Sequence, residues 1–230
     1  MAKFGILAAL DCEIAQFISD FAAVPTDNPQ IYRGSFAGHD IYLTLCGVGK
    51  VNAAICAQRL IDLAQVELII NSGVAGAVTD KLGICDLAIS DSLTYHDFYP
   101  LDVLEKYAPG CSVFRADKKL LTLAQKAAEQ LQAREADFHF ETGCIVSGDR
   151  FVEDAAYKQT LADTFGAICT EMEGAAVAHT AVANGLPFAV IRAISDNADE
   201  NADMSFEAMA AVAAKHAVFI VKEMIAHYEV

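Results

Sequence analysis

Residues 167–196 read AICTEMEGAAVAHTAVANGLPFAVIRAISD, and the order of apolar runs and stops within them sets the fold. Ala167–Thr170 is a short apolar run that ends in acids, as a buried strand does at its exit. Glu173–Asn184 is rich in alanine and valine and closes at Gly185, a helix with its stop. Pro187–Ile194 is a second apolar run, again ending in polar residues, Ser195 and Asp196. Strand, helix and strand in 30 residues form the repeating unit of an α/β protein with a parallel sheet. The same alternation extends in both directions. Downstream, Ser205–Tyr228 predicts a long helix with a serine cap and Glu207 just inside it. Upstream, Phe138–Ser147 predicts a strand, Glu153-Asp154 the acidic start of a helix, and Asp117–Arg134 another helix. Asp86–Tyr95 predicts a strand, and Phe98–Cys111, with Pro100, Pro109 and Gly110, a loop. Leu68–Ile70 predicts a buried strand and Asn71–Gly76 a glycine-rich exit from it. Lys50–Ala64 has helical spacing, Ile31–Phe36 and Ile41–Cys46 form a hairpin, Glu13–Phe21 a helix, and Phe4–Ala9 the first strand. The expectation is a single α/β domain over residues 1–230, a central mixed sheet flanked by helices.

Composition narrows the function. The 230 residues are 54% hydrophobic, and 16 Lys+Arg stand against 31 Asp+Glu, a formal charge of −15. Phosphate backbones and anionic lipid surfaces repel such a chain, which excludes nucleic-acid binding and surface attachment to membranes. A mean hydropathy of +0.32 excludes disorder. The longest apolar tract, Gly174–Ile191, carries His179, Asn184, Gly185 and Pro187, so it is not a membrane span. Seven cysteines lie scattered with no C-x-x-C pair, the pattern of free thiols in a reducing compartment rather than a disulfide framework. The apolar run Phe4–Leu10 is short for a signal peptide and no A-x-A site follows it. The expected location is the cytoplasm.

In open α/β sheets ligands bind beyond the carboxyl ends of the strands. Acids collect there: Asp11 and Glu13 after the first strand, Glu171 and Glu173 after Thr170, and Asp196 after Ile194, with Arg192 embedded in an apolar run. Each acid alone reads as a helix cap that gains from the helix dipole; the set reads as a site. Gly47-Val48-Gly49-Lys50 lies between strand and helix, but Asn52 stands where a dinucleotide fingerprint needs its third glycine, and Thr44 and Val51 break a Walker loop. The acidic run Asp196–Glu200 has Asn201 where a calcium loop needs glycine. The six histidines form no ligand pair, and His96-Asp97 reads as a structural hydrogen bond. No cofactor and no metal are called for.

The motifs Gly5–Glu13, Gly47–Lys50, Asn71–Gly76, Val146–Asp149, Glu171–Gly174 and Arg192–Asp196, with Met204-Ser205-Phe206, occur in an order that resembles bacterial 5′-methylthioadenosine/S-adenosylhomocysteine nucleosidases, within the purine nucleoside phosphorylase superfamily. The resemblance spans nearly the whole chain. It implies hydrolysis of the N-glycosidic bond of an adenine nucleoside bearing a 5′-thioether. By that resemblance Asp196 protonates adenine N7 and Glu13 positions and deprotonates water. Glu173 holds the ribose hydroxyls with Met172 against the sugar. Phe151 stacks on the base, the Val152 backbone reads its edge, and Gly76 lets the chain pass close to the nucleoside. Ala9, Leu10, Val48 and Phe206 line the pocket, while Arg192 and Ser195 support Glu13 and Asp196. The resemblance also implies a homodimer.

The chemistry agrees with the resemblance. Adenine leaves poorly unless protonated, and positioned acids contribute about 10²–10⁴-fold. The departing base leaves positive charge on the ribosyl ring, which a nearby carboxylate stabilises. The loop after the first strand offers Asp11, Cys12 and Glu13 and no cation to hold phosphate, which favours water over phosphate as the nucleophile. Two alternatives stay open: a related hydrolase or phosphorylase with another nucleoside, and a nucleoside-binding protein without turnover. Two departures from the pattern stand out. Val74 replaces a common serine, and Phe98–Pro109 replaces the stretch that forms the thioether pocket.

Overall fold

A computed structural model describes residues 1–196 and 206–230, with the backbone alone for 196, 206–209 and 211. In chain order its elements are β1 (Lys3–Ala8), α1 (Asp11–Asp20), β2 (Val24–Pro25), β3 (Ile31–Phe36), β4 (His39–Leu45), α2 (Lys50–Arg59), β5 (Leu68–Ala77), β6 (Leu87–Tyr95), α3 (Val103–Lys106), β7 (Phe114–Arg115), α4 (Lys118–Gln132), β8 (Phe140–Ser147), α5 (Ala155–Phe165), β9 (Ala167–Glu171), α6 (Gly174–Ala183), β10 (Phe188–Asp196) and α7 (Phe206–Ala226). They build one mixed sheet, the expected single α/β domain. No helix among the described residues is long and apolar enough to cross a membrane.

The apolar runs of β1, β5 and β10 are continuous rather than alternating because both faces of the sheet are covered. Ile6, Ile70 and Ile191 face one core, shared with Phe17 of α1, Leu120 of α4 and Val221 of α7. Leu7, Ile69 and Val190 face the other, shared with Ala53 and Ala57 of α2 and Val177 and Ala181 of α6. Adjacent residues of one strand thus serve opposite layers, as a two-residue period requires.

The sheet runs β10-β6-β8-β9-β5-β1-β4-β3-β2, and β10 also pairs with β5. Strands β5, β10, β6, β8 and β9 therefore close into a ring, from which β1, β4, β3 and β2 extend as an arm. Strand β5 belongs to both parts. Leu68–Asn71 pairs parallel with β1, while the stretch from Ile69 to Gly76 pairs with Phe188–Asp196 of β10, and Gly76 and Ala77 meet Thr170 and Cys169 of β9.

This corrects the expectation that the strand stops at Ile70 and exits through Asn71–Gly76. Glycine weakens a strand in isolation, but here β10 pairs along the whole stretch while β1 and β9 pair at its two ends. Gly73 answers a close approach and not a turn: a Cβ there would lie 2.6 Å from Arg192 Nη1 and 2.7 Å from Glu13 Oε1. Strand β10 likewise runs past Ile194 to Asp196. The stretch expected as a loop, Phe98–Cys111, contains the one-turn helix α3, with Leu104 buried; a single turn is too short to show a period. The helix expected over Lys50–Ala64 is α2 followed by a π-helical turn, Leu60–Ala64.

Candidate active site

Asp117 and Asp154, at the starts of two expected helices, prove to be plain caps. Asp117 accepts from the Lys119 and Leu120 amides at 2.9 and 3.0 Å, and Asp154 from the Tyr157 amide at 2.6 Å. Three others behave differently. Glu13, Glu171 and Glu173 are 4%, 7% and 6% exposed, and all three border one cleft.

Glu13 lies in the first turn of α1 and folds back on its own helix start, as a glutamate at that position can. Its Oε2 accepts from the amides of Ala9 and Leu10 at 2.8 and 2.9 Å, and its Oε1 from the Val74 amide at 2.9 Å. A helix N-terminus is a ready anion site, and here the protein's own carboxylate fills it. Burial pushes the Glu13 carboxyl above its ordinary value, against the pull of the Arg192 guanidinium and of those amides.

Glu171 ends β9, and Glu173 holds the position before α6 with its side chain turned away from the helix amides. Glu171 Oε2 accepts from the Glu173 and Gly174 amides at 3.0 and 2.7 Å, and from Arg192 Nε at 3.1 Å and Nη2. Its Oε1 accepts from the Ser147 hydroxyl, which itself accepts from the Ala175 amide at 2.7 Å. Arg192, 1% exposed, also donates to Asn71 Oδ1. Glu173 keeps looser partners, the Gly49 amide at 2.8 Å on Oε1 and Arg192 Nη2 3.8 Å from Oε2. Burial and the neighbouring Glu171 push the Glu173 carboxyl up to about 7, opposed by Arg192 and Gly49. One guanidinium thus faces three carboxylates, an excess of negative potential suited to developing positive charge.

Of the residues expected in the site, Ala9, Leu10, Glu13, Val48, Gly76, Phe151, Val152, Met172, Glu173 and Ser195 line this cleft together. Val48 and Phe151 stand at its open side, 47% and 56% exposed. Arg192 lies behind the lining: its hydrogen bonds go to Glu171 and Asn71, and its support of Glu13 is electrostatic. Asp196 holds the register position opposite Gly76, but its side chain and those of Phe206 and Glu207 lie outside the described residues, as do Met204, Ser205 and the run Asn197–Asn201. Val74, Ala75, Arg150, Thr170 and Glu171 also line the cleft. Glu171 was visible as an acid at a strand end, two residues from Glu173. What hid its role is that its partner, Arg192, is 21 residues away in sequence.

Fold and cleft together define an α/β protein with an acid-lined ligand pocket at the carboxyl edge of its strands. The family model of the phosphorylase superfamily matches residues 3–226, and the chain belongs to that superfamily. Solved structures to which it is similar include a 5′-methylthioadenosine/S-adenosylhomocysteine nucleosidase from Neisseria meningitidis in complex with methylthio-immucillin-A (32% identity, 99% of this chain and 100% of that one, TM-score 0.86). The nucleosidase from S. pneumoniae with a transition-state inhibitor is similar too (31% identity, 97% and 98% covered, TM-score 0.85). So is futalosine hydrolase of Helicobacter pylori (30% identity, 99% and 98% covered, TM-score 0.85). The resemblance carried by the motifs is thus met by solved nucleosidases along the whole chain.

Proposed function

We propose that this protein hydrolyses the N-glycosidic bond of adenine nucleosides that carry a 5′-thio substituent, releasing adenine. The observation that carries the reading is the state of the α1 N-terminus. A phosphorylase needs donors free to hold phosphate, whereas here the Ala9 and Leu10 amides are already taken by Glu13 Oε2. A second anion there meets a buried carboxylate; a water meets an acceptor that can orient it and take its proton.

In this reading water lies against Glu13, and the ribose hydroxyls donate to Glu173. Glu171 and Arg192 hold Glu173 and bias the electrostatics. As the glycosidic bond breaks, positive charge spreads over the ribosyl ring, and the surplus carboxylates favour that state over the neutral substrate. Asp196, at the end of β10, delivers a proton to adenine N7, and Phe151 covers the base. The reading brings with it a homodimer, which sedimentation velocity measures, a cytoplasmic setting and a role in recovering the thio-sugar.

The test is base release in phosphate-free buffer from methylthioadenosine, S-adenosylhomocysteine, 5′-deoxyadenosine, inosine and futalosine. Adenine from the adenine nucleosides and nothing from inosine is the expected result. Futalosine belongs in the set because its hydrolase is about as similar to this chain as the 5′-methylthioadenosine/S-adenosylhomocysteine nucleosidases are. Release that begins only when phosphate is added overturns the role of Glu13.

A further inference from the structure

The Gly47-Val48-Gly49-Lys50 turn is neither a dinucleotide loop nor a phosphate loop, yet it is tied down more tightly than a turn requires. Lys50 Nζ donates to both oxygens of Asp97, at 2.5 and 2.6 Å, and lies 3.6 Å from Asp149 Oδ2. The Lys50 amide donates to Asp149 Oδ1 at 2.9 Å, and the Asp149 amide to Asp97 Oδ2 at 2.8 Å. Asp97 follows β6, Asp149 follows β8, and Lys50 opens α2 behind β4, so one ammonium joins the exits of three strands. Its side chain is 21% exposed and that of Asp97 26%, and the ammonium also lies 5.5 Å from the centre of the Tyr95 ring.

The turn matters because the next amide back, that of Gly49, holds Glu173 Oε1 at 2.8 Å. Gly49 adopts φ +101°, and a Cβ there would come within 3.2 Å of Asp149 Oδ1. Two successive amides, Gly49 and Lys50, are therefore fixed on two different carboxylates, which sets the two peptide planes on either side of Gly49. Asp149 also leads directly into Arg150, Phe151 and Val152 of the cleft wall.

We propose that Lys50, Asp97 and Asp149 form a positioning clasp that sets the Gly49 amide against Glu173 and so fixes the orientation of the sugar-binding carboxylate. Lys50 is a positioning residue, acting through Gly49; the catalytic consequence rests on the function proposed above. An isolated exposed ion pair contributes little, but a bidentate pair sharing backbone donors defines geometry, and misplacing a binding group costs rate.

The test compares Lys50→Met, Lys50→Arg and Asp97→Asn with the parent chain. Without any substrate, hydrogen exchange at the Gly49 amide, read by NMR, rises about tenfold in Lys50→Met and stays near the parent rate in Lys50→Arg. An unchanged rate in Lys50→Met overturns the clasp. With methylthioadenosine, kcat/KM falls about 10- to 100-fold in Lys50→Met, and less than about threefold when Glu173→Gln is already present. An equal fall in both backgrounds also overturns the proposal, since Lys50 then acts by another route. If the parent releases no base from any nucleoside, the functional reading fails while the exchange measurement still decides the clasp. Should Lys50→Met not fold, Asp97→Asn carries the same two measurements.

Discussion

The floor of the cleft and the segment that follows β6 are built on opposite terms. On the floor, Glu13, Glu171, Glu173 and Arg192 come from four separate elements, are all less than a tenth exposed, and hold one another through side chains and strand-end amides. After Asp97 the chain carries Phe98, 38% exposed, then Tyr99 at 95% and Tyr107 at 70%, with a single helical turn between them. The floor cannot change one residue without leaving a buried charge unanswered. The segment is anchored by Leu104 and Leu101, and its exposed side chains, Tyr99 and Tyr107, can change at little cost. In the function proposed above, reaction chemistry belongs to the first region and the choice of 5′ substituent to the second, where this sequence departs most from the nucleosidase pattern.

Breaking the floor gives the largest effects. Glu13→Gln lowers kcat about 10³-fold, because the amide cannot take a proton from water and one of its ends opposes a backbone N–H. Steady-state rates on methylthioadenosine measure this, and a variant within tenfold of the parent removes Glu13 as the base. Arg192→Met destabilises the fold by about 3–5 kcal/mol, read from urea unfolding, because Glu171, Glu173 and Glu13 then face each other without a cation. A loss below about 1 kcal/mol means the carboxylates neutralise by protonation alone.

A subtler effect is expected with pH. Glu173 holds its proton up to about 7 in the folded chain, against an ordinary 4.5. The folded state thus binds more protons than the unfolded one between those values, so stability falls as pH rises through that window. The drop in Tm between about pH 5 and pH 7 shrinks in Glu173→Gln; an unchanged drop assigns it to other groups, Glu13 first among them. The smallest effect belongs to the segment after β6. Tyr99→Ala changes stability by no more than about 0.5 kcal/mol and shifts the ratio of kcat/KM between methylthioadenosine and S-adenosylhomocysteine. A large loss of stability there erases the contrast between the two regions.

Much of this was legible in the chain. The alternation of apolar runs gave the α/β class and the mixed sheet, and the exits of those runs gave Glu13, Glu171 and Glu173 as candidates. What was misread shares one cause. Asn71–Gly76 looked like an exit because glycine disfavours strands locally, yet β9 and β10, about 100 residues downstream, supply the pairing that makes it strand. Gly47–Lys50 looked like a bare turn because Asp97 and Asp149 lie 47 and 99 residues away.

The sequence by itself determined the alternation of most strands and helices, the acidic character of the strand ends, and membership in a group of proteins that act on nucleosides. Those are properties of period, composition and motif, which neighbouring residues carry. Only the tertiary structure decided which acids are caps and which share Arg192, that the α1 N-terminus is filled by Glu13, and that Lys50 ties three strand exits together. Those depend on register between distant strands and on burial, which changes both the cost of a charge and the value of its partner, and neither quantity exists until the sheet has closed.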